Sequence, residues 1–195
     1  MQSNPYAPPR APVADAPPAE VVGTPFFAVS RKKLIVLYVT TLTLYQLVWF
    51  YKNWALVRER GVHVMPVMRA VFAVFFCYGL FSRVRKHRPD LRSGRLAAGP
   101  LATGWIVVTI LSGITDRLTP LEGPYTGAVF AITLLLGYGS VVFLLPVQSA
   151  VNEINRAEVP DHDPNDRFTV WNWLWMIVGG FVTLAGVLGT FLPEP

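Results

Sequence analysis

Apolar residues fill this chain in five long blocks, 34–51, 64–81, 98–115, 125–147 and 170–192, while polar and basic residues collect in the connectors between them. Within the blocks hydrophobicity does not alternate residue by residue, so the pattern predicts helices and excludes the short alternating strands of a membrane barrel. Blocks of 18 to 23 residues reach about 27 to 35 Å as helices, enough to cross a hydrocarbon layer of about 30 Å. The expected architecture is therefore an all-α, polytopic transmembrane bundle of about five spans. Block 98–115 is the weakest of the five, because Gly99, Pro100, Gly104 and Gly113 interrupt it. A kinked or re-entrant segment there would leave four spans.

Residues 1–25 read differently. Seven prolines, from Pro5 to Pro25, stand among alanines with no periodic apolar positions to bury. This predicts a disordered, partly polyproline-II tail ahead of a helical domain over 26–195. Two P-x-x-P spacings, Pro5/Pro8 and Pro9/Pro12, fit an aromatic groove, but such spacings arise readily in any proline-rich leader. No basic region followed at once by an apolar core opens the chain, so the first block is expected to serve as its own insertion signal.

Composition reinforces the membrane assignment. Only 15% of residues are charged against 52% hydrophobic, where a soluble domain carries about 25% charged residues. No Lys, Arg, Asp, Glu or His falls between Lys33 and Lys52, from Leu96 to Thr115, or from Pro124 to Gln148. A charge at the bilayer centre costs about 3 kcal/mol or more, which accounts for such intervals. The net charge of +5 sits in the connectors, so the expected partners are anionic lipid headgroups and not nucleic acid. Cys77, the single cysteine, has no disulfide partner within the chain.

Positively charged residues orient the bundle. With the amino terminus in the cytoplasm, five spans place 12 Lys and Arg residues inside and four outside, with Arg69 within the second block. Three of the four outside residues, Lys52, Arg58 and Arg60, crowd the first outer loop. That loop runs against the rule and is expected either to lie on headgroups or to mark a misread first hairpin.

Candidate chemistry is thin. The run from Tyr45 to Trp54 holds Tyr45, Gln46, Trp49, Tyr51, Lys52 and Trp54; its rings read as an interfacial aromatic belt with a snorkelling lysine, or as a headgroup or partner contact. Thr43 and Gln46 are placed to bond a neighbouring helix. Arg69 is an intramembrane cation close enough to a block end to snorkel. Trp171, Trp173 and Trp175 open the fifth block as a second belt, followed by Gly179, Gly180, Gly186 and Gly189, which permit close helix approach. The segment DHDPNDR, 161–167, begins like a calcium loop but places Asp166 where glycine is needed and Asn172 where a bidentate glutamate is needed, so it reads as a polar turn. Three scattered histidines make no zinc set, and no nucleotide-binding, hydrolase or paired-cysteine motif is present. No cofactor, metal or catalytic residue is expected.

Three stretches taken together, residues 26–54 ending in YQLVWFYKNW, residues 66–81, and LLPVQSAVNEIN (144–155) with RFTVWNW (167–173), resemble a group of uncharacterised bacterial inner-membrane proteins. These share a domain of unknown function with a YWFYKNW-type aromatic signature. Leu42 and Leu44 precede Tyr45 here, where many of those proteins would carry a Gly-x-Tyr turn. The resemblance implies a multi-pass protein of the bacterial cytoplasmic membrane and no catalytic residues. The expected function is accordingly a non-enzymatic membrane assembly or accessory protein, acting with another membrane protein or a second copy. A transporter or channel component for small polar solutes or ions is the alternative. A lipid-modifying enzyme built from the Tyr45–Trp54 run and the DHD loop ranks last, since five spans would hold those two on opposite faces.

Overall fold

The computed structural model describes residues 23–118 and 126–189 and, among them, holds eight α-helices, one short 3-10 turn and no strand. They are α1 (Arg31–Thr40), α2 (Tyr45–Glu59), α3 (Pro66–Val71), α4 (Ala73–His87), α5 (Ala98–Leu118), α6 (Thr126–Gly139), α7 (Val141–Glu158) and α8 (Val170–Gly189). Most of the expected proline-rich tail, and the outer ends of the fourth and fifth blocks, lie outside the described residues.

Three segments are long and apolar enough to cross a membrane: α5 with 21 residues, the nearly continuous α6–α7 rod of 32 from Gly127 to Glu158, and α8 with 20. At 1.5 Å per residue they measure about 31, 48 and 30 Å. Their flanks expose Val107, Ile110, Ile114, Ile132, Leu135, Ile177, Phe181 and Leu188, the surface a hydrocarbon solvent favours. The block with the glycines, 98–115, is therefore a sound helix. The first two blocks are the ones that do not form single rods.

Block 34–51 breaks at a turn. Thr43 N–H reaches Tyr38 O at 2.8 Å and Leu42 N–H reaches Val39 O at 3.3 Å, which is the closing pattern of a helix stopped by left-handed residues. Leu42 and Thr43 have φ of +52° and +66°. Thr41 staples both sides of the turn: its hydroxyl donates to Leu37 O at 2.6 Å and accepts Tyr45 N–H at 3.0 Å. α2 then returns beside α1. Tyr38 OH donates to Gln46 Oε1, Phe27 N–H donates to Asn53 Oδ1, and Arg60 donates to Gly23 O and Pro25 O. Pairing 38 with 46, 27 with 53 and 23 with 60 is antiparallel, so both ends of the hairpin emerge on one face. Block 64–81 is likewise divided, at Phe72; six-residue α3 and 15-residue α4 reach about 9 and 22 Å, short of a crossing.

The hairpin turn meets α8 at its midpoint, and α5 and the α6–α7 rod nearer the ends where α5 stops and α6 starts. A methyl group on Gly179, the tenth of the 20 residues of α8, would overlap the Thr40 carbonyl oxygen, and one on Gly137 would stand 3.7 Å from Thr43 Cγ2 and 3.2 Å from Ser112 Oγ. We call the side holding residues 23–30, 88–97 and 159–169 the near face, and the side where α5 ends and α6 begins the far face.

Near the hairpin base, an extended segment, residues 23–30, is held by amide side chains. Asn155 brackets Phe26, donating to its carbonyl at 2.9 Å and accepting its N–H at 3.2 Å. Gln148 donates to Phe27 O and Asn152 to Val29 O, while Gln148 Oε1 accepts the Trp49 indole N–H at 2.6 Å. An extended strand without a neighbouring strand would leave buried peptide groups unsatisfied, and these amides supply the partners. Gly23 and Pro25, inside the expected tail, are already part of this set through Arg60. Around it lies a core in which Phe50 stacks on Phe81 and tilts against Trp105, with centroids 6.5 and 5.0 Å apart.

Candidate functional site

Beyond the hairpin turn, toward the far face, a cavity of about 400 Å³ opens between α5, α6 and α8. Leu42 and Thr43 floor it; Ser112, Asp116, Thr133, Tyr138 and Thr183 supply polar groups to its walls, and Phe130, Leu134 and Val182 the apolar remainder. The walls are braced by hydrogen bonds. Ser112 Oγ donates to Thr133 O at 3.2 Å, Thr183 Oγ1 donates to Gly179 O at 2.9 Å, and the Tyr138 and Thr183 hydroxyls stand 3.4 Å apart. Below the floor, Tyr38 OH pairs with Ser140 Oγ at 2.5 Å.

Two features of this cleft bear on binding. The Thr133 hydroxyl is buried and without a hydrogen-bond partner in the protein, a state that costs about 1–3 kcal/mol unless a water or solute fills it. The floor itself is strained. A β-branched residue in the left-handed region is a real outlier, costing about 1–2 kcal/mol, and such strain concentrates where a backbone must take a special shape for binding. Asp116 is the one carboxylate among the described residues beyond the level of the turn. Polar side chains around an irregular backbone within the apolar bundle can replace the hydration shell of a small cation or hydroxylated solute.

The residues singled out from the sequence are dispersed. Trp49, Trp54 and Tyr45 are buried in the core, not set along an outer rim, whereas Tyr51 and Lys52 on the same helix are exposed. Gln46 accepts from Tyr38 and stays out of the cleft. Arg69 lies across α2 from the cleft, its guanidinium 4.3 Å from the Trp54 ring and 5.0 Å from Phe76. Trp171, Trp173 and Trp175 stand exposed at the near-face end of α8. Of the span-one polar residues, Thr43 alone reaches the cavity.

The DHD loop meets α1. Lys33, almost fully buried, donates to Asn165 Oδ1 at 2.7 Å and to Arg167 O at 2.6 Å. Asn165 (φ +50°) also donates to Ala28 O, and Asp163 caps it by accepting its N–H. Burial lowers the Lys33 pKa, while Asp163 and Asp166 pull it back up. The DHD loop lies on the near face and the Tyr45–Trp54 run leads from the hairpin turn toward it, yet Tyr45, Trp49 and Trp54 are packed away and Asp163 serves a turn.

Sequence reasoning passed over Asn53, Gln148, Asn152, Asn155 and the cleft residues Ser112, Asp116, Thr133, Tyr138 and Thr183. The first group was detectable, because Gln148, Asn152 and Asn155 fall at i, i+4 and i+7, one helical face of amides. No family model, curated protein or solved structure matches this chain.

Proposed function

We propose that this is a non-enzymatic integral membrane protein that admits a small cation or hydroxylated solute into the cleft above the re-entrant hairpin, as a transporter or channel component. The observation that carries this reading is the gathering of Thr43, Ser112, Asp116, Thr133, Tyr138 and Thr183 around one cavity between the hairpin turn and the far face, floored by strained backbone. Charge placement supports a near face in the cytoplasm. Once α2 returns to the near face, Arg58 and Arg60 join the other basic connectors, and Arg117 alone among the described Lys and Arg residues stands beyond the turn, as the positive-inside rule asks. The resemblance read from the sequence supports a bacterial cytoplasmic membrane.

The test is flux into proteoliposomes carrying the purified full chain, using labelled Na⁺, K⁺ and glycerol. Uptake above protein-free vesicles is expected for at least one of them. Asp116→Asn or Thr133→Val should lower it about tenfold, the equivalent of one charged or buried hydrogen bond. Absence of uptake for all three would refute transport. A second reading, assembly with another membrane protein or a second copy, is favoured by α8, which packs chiefly on α1 and buries only Gly179 of its 20 residues. Chemical cross-linking in native membranes that returned monomer alone would remove it.

A further inference from the structure

A second cavity, about 310 Å³, lies at the near face where the end of α2 meets the end of α4. Its polar wall carries three cations, Arg60, Arg83 and Lys86, beside the His87 ring. Its floor is apolar, formed by Pro25, Phe26, Val57 and Val62. Arg60 is not a loose surface side chain. Its guanidinium donates to Gly23 O at 2.9 Å, to Pro25 O at 3.1 Å and to Leu56 O at 3.4 Å, so it is fixed before any ligand arrives, and pre-organisation of this kind reduces the entropy lost on binding. Glu158, the nearest carboxylate, is bonded to the His87 edge of the pocket, accepting from His87 Nε2 at 3.0 Å with Arg88 at 3.7 Å. Arg60, Arg83 and Lys86 form no ion pair among the described residues. Glu59 and Glu158 act on Arg60 only through space, and burial offsets them by lowering its pKa.

Three cations without anionic partners around an apolar floor form a half-filled site. Guanidinium and ammonium groups bind phosphate oxygens by charge-assisted hydrogen bonds, and the floor suits the glycerol and first methylenes of a lipid better than a fully hydrated ion. We infer that this pocket binds a phosphate group, supplied by the headgroup of an anionic lipid in the near leaflet. A soluble phosphate compound offers the same oxygens, and the experiment must separate the two sources.

Isothermal titration of the detergent-purified full chain does so, with dihexanoyl phosphatidylglycerol, dihexanoyl phosphatidylcholine and inorganic phosphate as titrants below their micellar concentrations. Saturable binding of the phosphatidylglycerol, with inorganic phosphate and phosphatidylcholine each at least about tenfold weaker, is expected. Arg83→Gln and Lys86→Gln, both exposed and outside the core, should each weaken it about tenfold, the worth of one charge-assisted bond, while leaving the thermal midpoint unchanged. Equal affinity for inorganic phosphate would overturn the lipid assignment in favour of a soluble phosphate. Binding absent, or unaltered in both variants, would overturn the site itself. Neither result bears on flux through the far-side cleft.

Discussion

Two adjacent glycines offer a sharp test of how α8 meets the hairpin. An added Cβ on Gly179 would overlap the Thr40 carbonyl oxygen and stand 2.9 Å from Thr40 C and 3.1 Å from Thr41 Cα, whereas one on Gly180 would meet nothing within 4 Å. Carbon atoms in contact prefer about 3.5–4.0 Å, so Gly179→Ala must drive backbone from backbone by about 0.6 Å or more. No side-chain rotation relieves it, and overpacking of this kind costs about 1–3 kcal/mol. The upper part of that range applies here because both partners are main chain. For a chain of this size each kcal/mol moves Tm by about 2–4 °C, so about 2–3 kcal/mol gives a loss of about 4–12 °C. Gly180→Ala should do nothing or raise Tm slightly, since alanine is the better helix former by about 0.5–1 kcal/mol. Intrinsic tryptophan fluorescence during heating in mild detergent reads both variants. Equal behaviour of the two would refute the close approach of α8 to the hairpin turn.

Asn155→Leu strands the Phe26 N–H and carbonyl in the interior; at about 1–3 kcal/mol for each of the two orphaned groups, denaturant titration should show a loss of about 2–6 kcal/mol. Thr43→Gly removes a β-branched side chain from φ +66° and should stabilise by about 1 kcal/mol, seen as a higher Tm. Lys33 has a folded-state pKa below 10.5, so the unfolded chain binds its proton more tightly. Stability therefore rises with pH through the window just below 10.5, and Lys33→Met should flatten that rise in a pH series of thermal midpoints.

Helical content, the three long apolar segments and the near-face basic connectors were legible from the chain, because burial in lipid writes itself as uninterrupted hydrophobicity. The hairpin was not. Residues 34–51 are as apolar as a crossing segment, and what divides them is local: Thr41 bonding to both helices and two residues driven left-handed without a glycine to announce it. The excess of Lys52, Arg58 and Arg60 on the wrong side of a five-span scheme was the visible trace of that fold. Trp49 and Trp54 looked interfacial because the sequence cannot show that Gln148, almost a hundred positions later, would receive the indole proton of Trp49. Asp116 escaped notice because it ends an apolar run, and its place in the cleft depends on Thr43 and Thr133 converging from two other segments.

Everything above rests on the first apolar block turning back at Leu42 and Thr43. In a Cys77→Ala background, single cysteines at Glu59, Asp90, Asp161 and Leu118 can be labelled in intact and permeabilised cells with a membrane-impermeant maleimide. All four positions are exposed. The hairpin predicts that 59, 90 and 161 react together, from one side, and 118 from the other. Reaction of 59 on the same side as 118 would mean that residues 34–51 cross the membrane, and would contradict it.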